Sequence, residues 1–446
     1  MQRATSSPHH DRPRRGLFST RVGLLGSENA FKLGPHIRAV EARGGRVIRC
    51  NLGEPDFPLP AHVRDEVKRA LDAGLTHYGD PQGLPSLRAA IARDMGARRG
   101  LDLDPERVVV FPGAKPPIGL CQEAYCDPGD EVLYPSPGFP IYESFTRYVG
   151  ARPVPYHLDE RTGFNVSAPD LARLLTPRTR LLFLNFPSNP TGGVASPAQL
   201  EAIADVVRRR GAPGLRVYSD EVYEHILFDG ARHASIASLP GMAERTIIVG
   251  GVSKTYAWTG GRLGWAVFPT VEEAQVMKNL NINYFSCCPA FTQEGARLAI
   301  ESPESGPVIA RMVAAFQERR DAVVAALSRL EGVSCQAPRG AFYVFPNVAG
   351  ACQRLGALDA WARLPPLQQA LTTPSTLLQL FLLYRHGVAT MDRKSFGRIG
   401  SEGQHHLRLS IATGLDDLLE AVRRLGQALD DRAGFEAWLR SGDPIY

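Results

Sequence analysis

Short apolar runs alternate with helical stretches between residues 105 and 268. The runs are rich in β-branched residues, turns with Gly or Pro follow them, and they predict strands over 107–111, 131–134, 181–186, 215–219 and 246–250. Nearly continuous apolar strands that alternate with helices are typical of a parallel sheet buried on both faces. We therefore expect an α/β fold with a mostly parallel central sheet and helices on both of its faces.

Helix-start signals support this pattern. A helix over 116–126 is predicted to begin with Pro at its first turn. Ser196 and Gln199 form a capping-box pattern around Pro197, which predicts a helix that runs to Arg210.

The C-terminal part of the chain has a different pattern. A long amphipathic helix is predicted over 310–330, and strands of a smaller α/β unit are predicted over 333–346 and 407–412. The segment 350–375 reads as irregular, because Pro365-Pro366 interrupts it, and we interpret it as a loop or a lid.

Length and composition narrow the class of protein. The 446 residues suggest about two domains, and 44% hydrophobic with 22% charged residues are ordinary globular values. They argue against a largely disordered chain, a fibre or a disulfide miniprotein. We find no apolar run long enough to span a membrane.

Charge and cysteine usage carry further expectations. The net charge is only +5, and the arginines are scattered among acids, so no nucleic-acid surface is predicted. Seven cysteines without a Cys-x-x-Cys pair, and residues 1–16 without the apolar stretch of a secretory signal, favour a cytoplasmic protein with reduced thiols. The His9-His10 and His405-His406 pairs lack the ligand spacing of a metal site, and no metal is predicted.

The predicted strands end in groups that carry chemistry. Ligands of open α/β sheets lie beyond the carboxyl ends of the strands. Those ends hold a carboxylate, a phenol, an amide, an amine and Gly-rich turns: Gly113-Ala114-Lys115, the segment 185–193 (NFPSNPTGG), 220–223 (DEVY) and 253–255 (SKT).

Nucleotide hydrolysis is one interpretation of these groups. The SKT triplet after a strand is similar to the end of a phosphate-binding loop, and VYSDE is similar to a magnesium-binding strand. However, that loop needs Gly directly before the lysine, and here Ser253 precedes Lys254. The acidic strand also comes before the lysine, which reverses the usual order.

Pyridoxal phosphate chemistry is the second interpretation. It needs a lysine that holds the aldehyde as a Schiff base and a carboxylate against the pyridine nitrogen. It also needs donors to the phenolic oxygen and a phosphate-binding cup. Only six lysines occur in the chain, so few positions could supply the amine. The set that fits is Lys254, Asp220, Tyr223 with Asn189, and Ser253 with Arg262.

The sequence resembles the class I/II aminotransferases, which are aspartate aminotransferase-like enzymes of fold type I. The resemblance covers roughly residues 30–425 and rests on nine segments in the family's order: NLGEPDF (51–57), HYGDPQGLPSLRAAIA (77–92), FPGAKPPI (111–118), YPSPGFPIY (134–142), NFPSNPTGG (185–193), YSDEVYEHILF (218–228), GGVSKTYAWTGGRLGW (250–265), GAFYVFP (340–346) and LRLSIAT (407–413).

The resemblance implies catalytic roles for three residues. Lys254 would form the Schiff base and then move the proton during the reaction. Asp220 would pair with the pyridinium nitrogen of the cofactor, pyridoxal 5'-phosphate. Tyr223 and Asn189 would hydrogen-bond to its phenolic oxygen.

It also implies binding roles for residues elsewhere in the chain. The phosphate cup would comprise Gly113, Ala114 and Lys115 at a helix start, with Ser253 and Arg262. Phe139 would stack on the ring, and Tyr78 would reach the phosphate of a partner subunit. Arg408 would bind the substrate carboxylate close to Gly53, and Asn189 would contribute there.

Transamination between an L-α-amino acid and a 2-oxo acid, by a ping-pong mechanism in a homodimer, is therefore the predicted function. The departure from the family over 387–397 leaves the substrate side chain open. A lyase or cyclase of the same superfamily is the alternative enzyme. A regulator that carries this fold behind a DNA-binding domain is a third possibility, but no helix-turn-helix pattern is visible near the N-terminus.

The resemblance also suggests how the chain is divided. We expect a flexible arm over 1–20, a large cofactor-binding domain over 61–320, and a small domain that combines 21–60 with 321–446. We expect no nucleic-acid or membrane partner.

Overall fold

The computed structural model describes residues 17–26 and 29–445. The predicted N-terminal arm therefore lies mostly outside the described residues. Between 17 and 26, a 3₁₀ turn at Thr20–Leu24 is exposed, and the N–H of Gly26 donates to Ser144 Oγ at 2.7 Å.

Twelve strands form three sheets in the described part of the chain. The large sheet has the order β2-β8-β7-β6-β5-β3-β4, and the small sheets have the orders β1-β10 and β11-β12-β9. The strands are β1 (Ile48–Arg49), β2 (Val108–Phe111), β3 (Glu131–Ser136), β4 (Arg152–His157), β5 (Thr179–Asn185), β6 (Arg216–Asp220), β7 (Thr246–Gly251), β8 (Gly264–Val267), β9 (Tyr343–Val344), β10 (Val388–Ala389), β11 (Met391–Asp392) and β12 (Leu407–Ser410).

Seventeen α-helices surround these sheets within the described ranges. They are α1 (Asn29–Ala42), α2 (Ala61–Asp72), α3 (Pro85–Arg99), α4 (Pro116–Tyr125), α5 (Pro140–Tyr148), α6 (Ala168–Leu174), α7 (Pro197–Arg210), α8 (Val252–Thr255), α9 (Val271–Phe285), α10 (Ala290–Glu301), α11 (Ser305–Leu327), α12 (Ala349–Leu355), α13 (Ala357–Ala362), α14 (Pro366–Leu371), α15 (Pro374–His386), α16 (Leu415–Asp430) and α17 (Arg432–Leu439).

The large sheet is mostly parallel, as predicted. Strands β4, β3, β5, β6 and β7 pair in parallel, and only β8 runs antiparallel to its neighbours β7 and β2. Alternate side chains point to opposite faces of a sheet. On β2, Val109 packs in a core with helices α4 and α9, whereas Val108 packs in another core with α3 and α10. Helices therefore cover both faces, and the predicted α/β class is confirmed.

The sequence pattern missed strands β4 and β8. Pro153 and Pro155 interrupt β4 in the sequence, but β4 lies at the edge of the sheet and pairs only with β3. Proline is tolerated on an edge strand because its missing N–H leaves no central ladder bond unmade. Strand β8 has only four residues and begins with Gly264, so its apolar signal is weak.

The irregular segment predicted over 350–375 is wrong. It folds into α12, α13, α14 and the start of α15. Pro366 is the first residue of α14, and Pro374 is the first residue of α15. Proline at this position starts a helix, because the N–H that it lacks would have no partner within the helix.

The long strand predicted over 333–346 is also wrong, since only Tyr343–Val344 joins a sheet. Its other backbone groups bond to loops: the N–H groups of Arg339 and Gly340 both donate to the carbonyl of Gly192, at 3.1 Å each. The backbone is therefore satisfied outside a ladder, which an apolar pattern does not reveal.

The two ends of the chain meet in the small sheets. Strand β1 pairs in parallel with β10, where Ile48 lies opposite Val388. This pairing is in keeping with a small domain built from both ends, although the predicted domain boundaries remain a prediction. In the described residues, every helix is too short or too polar to cross a lipid bilayer.

We predict that Ser196→Ala loosens the first turn of α7. The Ser196 hydroxyl accepts from the Gln199 N–H at 3.2 Å, and the Gln199 side chain accepts from the Ser196 N–H at 2.8 Å. Loss of such a cap costs about 1 kcal/mol, so amide exchange in this turn should accelerate about fivefold. Hydrogen-exchange mass spectrometry would measure this. Ser328→Ala, at the end of α11, is the control and should leave α7 unchanged; equal exchange in parent and Ser196→Ala would contradict the prediction.

Candidate functional site

The parallel strands place four polar side chains at one end of the large sheet. Asn185 ends β5 and lies opposite Asp220, which ends β6, and Asp220 lies opposite Val249 of β7. Strand β7 then leads directly into the short helix α8, which carries Ser253 and Lys254. Groups far apart in the sequence therefore meet, because the carboxyl ends of parallel strands lie at the same end of the sheet.

A cavity of about 570 Å³ opens at this end of the sheet. Except for Gly113, whose backbone adjoins it, and Tyr78, all of the residues predicted for the site line the cavity. They are Gly53, Ala114, Lys115, Phe139, Asn189, Asp220, Tyr223, Ser253, Lys254, Arg262 and Arg408.

Asp220 is buried, and its carboxylate is only partly satisfied. Oδ2 accepts a hydrogen bond from the Tyr142 hydroxyl at 2.6 Å. Oδ1 has no hydrogen-bond partner among the residues that the structure describes. Burial raises the pKa of Asp220 to about 6, although hydrogen bonds from Tyr142 and from the Val222 backbone, and the charge of Lys254, oppose this shift. A buried carboxylate oxygen without a partner is costly, so this oxygen fits a cationic N–H donor that enters the cavity.

Tyr142 holds Asp220 and was missed by the sequence interpretation. Tyr142 lies on α5, three residues after Phe139, and its ring stacks on Phe183 with 4.6 Å between the ring centroids. The i, i+3 spacing of Phe139 and Tyr142 within YPSPGFPIY is the signal that could have revealed it, since such residues share a helix face.

Lys254 lies on α8, directly after strand β7, and lines the cavity. Its Nζ donates to the carbonyl oxygen of Gly53 at 2.6 Å and lies 5.9 Å from the ring centroid of Phe342. Gly53 thus contacts the lysine through its backbone, a role that the sequence did not reveal. It also needs to be glycine, since a Cβ there would lie 2.2 Å from the hydroxyl oxygen of Tyr343.

The predicted phosphate cup lies between β2, β7 and β8. The Arg262 guanidinium donates to the carbonyls of Thr259 and Pro112, at 2.9 and 3.3 Å. A Cβ on Gly113 would lie 2.4 Å from Arg262 Nη2, and Gly113 has φ +104°, which disfavours other residues. The Gly113 N–H donates to the carbonyl of Phe111. The contribution of Gly113 to the cup is therefore the space that it leaves for the Arg262 guanidinium. Ala114 and Lys115 follow at the start of α4.

Arg408 is a buried cation on β12 that joins two parts of the site. Nη2 donates to the carbonyl of Asn51 at 2.5 Å, and Nη1 donates to Asn189 Oδ1 at 3.0 Å. Its guanidinium lies 4.5 Å from the ring centroid of Tyr343 and 4.9 Å from that of Phe396. Because Oδ1 of Asn189 accepts from Arg408, the Nδ2 group is the donor that this amide can offer elsewhere.

The remaining predicted residues differ in placement. Phe139 lines the cavity, and Lys115 Nζ lies 5.6 Å from its ring centroid. Tyr78 is 90% exposed and does not line the cavity, so it is not a core tyrosine of this chain. Met391, Ser395 and Phe396 also line the cavity, which confirms that the divergent stretch 387–397 contributes to its wall.

A separate cluster of ionisable groups lies behind Asp220. Within the described residues, Glu221, Glu224 and His233 are close enough to hold a metal ion. Arg99 forms ion pairs with both carboxylates and lies 2.6 Å from Glu224. Burial alone would raise the pKa of Glu221, but Arg99 and His233 lower it below its ordinary value. A guanidinium therefore already supplies the positive charge that these carboxylates need.

The amino-acid sequence of the chain is similar to those of known proteins. The family profile described as aminotransferase class I and II matches residues 46–425. The chain is 34% identical over 419 residues to a probable aspartate/prephenate aminotransferase of Aquifex aeolicus, covering 94% of this chain and 100% of that protein. It is 36% identical to an arginine–pyruvate transaminase of Pseudomonas aeruginosa, over 87% of this chain and 92% of the relative.

A solved structure is similar over nearly the same length. The aspartate aminotransferase of Rhizobium meliloti superposes with a TM-score of 0.83 at 32% identity, covering 93% of this chain and 99% of that one.

We predict that Asp220→Asn stabilises the ligand-free protein above pH 6. An acid whose pKa rises from 3.8 to about 6 on folding loses stability as pH rises through that interval. The variant should avoid this loss, which amounts to at most about 3 kcal/mol. Thermal unfolding of ligand-free parent and variant at pH 4 and pH 7.5 would test it. A stability difference that is the same at both pH values would contradict the prediction.

Proposed function

Because the chain belongs to the class I and II aminotransferases, we propose that it transfers an amino group from an L-α-amino acid to a 2-oxo acid with pyridoxal 5'-phosphate held by Lys254. The single observation that carries this proposal is the convergence of Lys254, Asp220 and Arg408 on one cavity. The three side chains come from different parts of the chain. They supply an amine, a carboxylate and a guanidinium that can bind a carboxylate.

The residues present fit the cofactor. Asp220 Oδ1, which is buried and without a partner in the described residues, matches a protonated pyridine nitrogen. The Arg262 guanidinium, with Ala114, Lys115 and Ser253 lining the same cavity, matches a phosphate. When bound, pyridoxal 5'-phosphate supplies an electron sink that stabilises negative charge at the substrate Cα.

The chain's own residues would perform four tasks around it. Lys254 would hold the cofactor and, when displaced by the substrate amine, carry the proton to and from Cα. Asp220, oriented by Tyr142, would keep the ring nitrogen protonated. Tyr223 and the Nδ2 group of Asn189 would donate to the phenolic oxygen, while Phe139 would lie against the ring.

Arg408 would bind the substrate α-carboxylate. The cavity already holds its guanidinium between the rings of Tyr343 and Phe396. A planar guanidinium held in this way is suited to a bidentate carboxylate contact. Gly53 would border the bound substrate, since its carbonyl oxygen accepts from the Nζ of Lys254 in the same cavity.

We further propose a homodimer in which Tyr78 completes the partner's phosphate site. Tyr78 is 90% exposed in the single chain, which leaves its ring available to a second copy. Several large apolar side chains of α9, including Ile282, Tyr284 and Phe285, are also exposed. The cytoplasmic location predicted from the sequence remains a prediction.

We predict that Lys254→Ala abolishes transamination. The loss should be about 10³-fold or more, because both cofactor attachment and proton transfer depend on this amine. Borohydride reduction of the cofactor-loaded parent, followed by peptide mapping, should place a pyridoxyl group on Lys254. Lys68→Ala, on the exposed face of α2, is the control and should retain parent activity. A pyridoxyl group on another lysine, or parent activity in Lys254→Ala, would end the proposal.

The same preparation distinguishes transamination from elimination. Without an oxo acid, a transaminase should convert about one equivalent of amino donor per site and then stop. A lyase or cyclase would continue to turn over and, from a donor with a β-leaving group, release ammonia and pyruvate.

We predict that mixing two defective variants restores some sites with parent cofactor affinity. Lys254→Ala and Tyr78→Phe subunits, unfolded and refolded together, should yield intact sites in about a quarter of positions, because each mixed two-fold dimer has one complete site. Cofactor titration of the mixture would count the sites that bind with parent affinity and can be reduced onto Lys254. If none appear, Tyr78 does not act across an interface.

A further inference from the structure

Tyr343 is a buried tyrosine in the site whose hydroxyl has no role in the proposal above. It is 1% exposed, and its hydroxyl lies 2.8 Å from the hydroxyl of Tyr223. The Arg408 guanidinium packs over its ring, and the glycine at position 53 leaves room for its hydroxyl. Its position is therefore fixed by a cation, a backbone and a neighbouring phenol.

The two hydroxyls share one hydrogen bond, and its direction matters. Each phenol has one proton to donate and can also accept. If Tyr223 donated to Tyr343, it would have no proton left for another acceptor. The phenolic oxygen of the cofactor, when ionised, can only accept. Tyr223 can therefore contact it favourably only if Tyr343 is the donor in the tyrosine pair.

We propose that Tyr343 is a positioning residue whose hydroxyl donates to Tyr223 and so directs the Tyr223 proton to the cofactor's phenolic oxygen. This inference rests on the proposed function. Successive hydrogen bonds polarise one another, so the donation from Tyr343 also makes Tyr223 a stronger donor. Tyr343 is on β9 and Tyr223 follows β6, so the pair links the three-stranded sheet β11-β12-β9 to the large sheet.

Charged groups from two strands face the tyrosine pair. Arg408 on β12 and Asp220 on β6 both face Tyr223, as does the Tyr343 hydroxyl. Burial raises the pKa of Tyr223 well above its ordinary value, and the Arg408 charge opposes this shift only in part. Tyr223 therefore remains a protonated donor over the range in which an enzyme works.

Tyr343→Phe tests the relay, because it removes the hydroxyl and keeps the ring against Arg408. The readout is the pH-dependent absorbance of the cofactor-loaded protein, which follows the proton on the nitrogen that joins Lys254 to the cofactor. A donor to the phenolic oxygen stabilises its negative charge and so weakens that nitrogen's hold on its proton. Loss of the Tyr343 hydroxyl should therefore raise the apparent pKa of the absorbance transition, by about 0.5 pH unit.

The sign of the shift decides between the two directions of the hydrogen bond. If Tyr223 donated to Tyr343 instead, removal of Tyr343 would free the Tyr223 proton and lower the apparent pKa of the transition. A downward shift, or no shift, would overturn the inference.

A double variant shows whether Tyr343 acts through Tyr223. Tyr223→Phe alone should raise the transition pKa by more than Tyr343→Phe does. In the Tyr223→Phe background, Tyr343→Phe should add no further shift, and an added shift would show a route that bypasses Tyr223.

Tyr125→Phe is the matched control. It removes a hydroxyl that donates to Glu273 at 2.6 Å, at the far end of α4, and should leave the transition unmoved. Thermal midpoints of Tyr125→Phe and Tyr343→Phe show whether both remain folded. If Tyr223→Phe itself moves nothing, the role proposed for Tyr223 at the phenolic oxygen fails, and the relay fails with it, whereas the proposed function stands or falls with Lys254. If Tyr223→Phe moves the transition and Tyr343→Phe does not, only the relay fails.

Discussion

A buried carboxylate at the end of a central strand is the constraint on which the site depends. Asp220 is enclosed by the sheet and by α5, with one oxygen bound to Tyr142 and the other without a partner in the described chain. Water cannot solvate this group well, and its hydrogen bonds together with the nearby Lys254 charge compensate only in part, so its pKa stays raised. The protein retains an unfavourable feature of its ligand-free fold, and a protonated ring nitrogen in the cavity would relieve it.

The rest of the cavity is arranged around the same requirement for matched partners. Arg408 is buried between two aromatic rings, and the carbonyl of Asn51 and the amide of Asn189 accept from it. The neighbouring Glu221 is also buried, but Arg99 forms an ion pair with it within the chain. Asp220 thus keeps an oxygen without a partner in the described chain, whereas Glu221 is paired within the fold.

Much of the architecture followed from local patterns. The apolar runs that predicted β2, β3, β5, β6 and β7 are strands, and the capping box at Ser196 starts α7. The family and the enzyme class were also evident from ordered motifs, and the family profile confirms both. Two of the failures involve prolines, which are tolerated in β4 at a sheet edge and at the starts of α14 and α15. Whether a proline lacks a needed hydrogen bond depends on its neighbours in space.

The sequence by itself determined the strand–helix alternation, the class of enzyme and the side chains at the strand ends, because each is encoded in residues that are close along the chain. Only the tertiary structure decided which of those side chains share partners. Tyr142 with Asp220, Tyr343 with Tyr223, and Gly53 with Lys254 are separated by 78, 120 and 201 residues respectively. Such contacts are specified by how strands order within a sheet and how chain ends pair, which no local pattern of polar and apolar residues records.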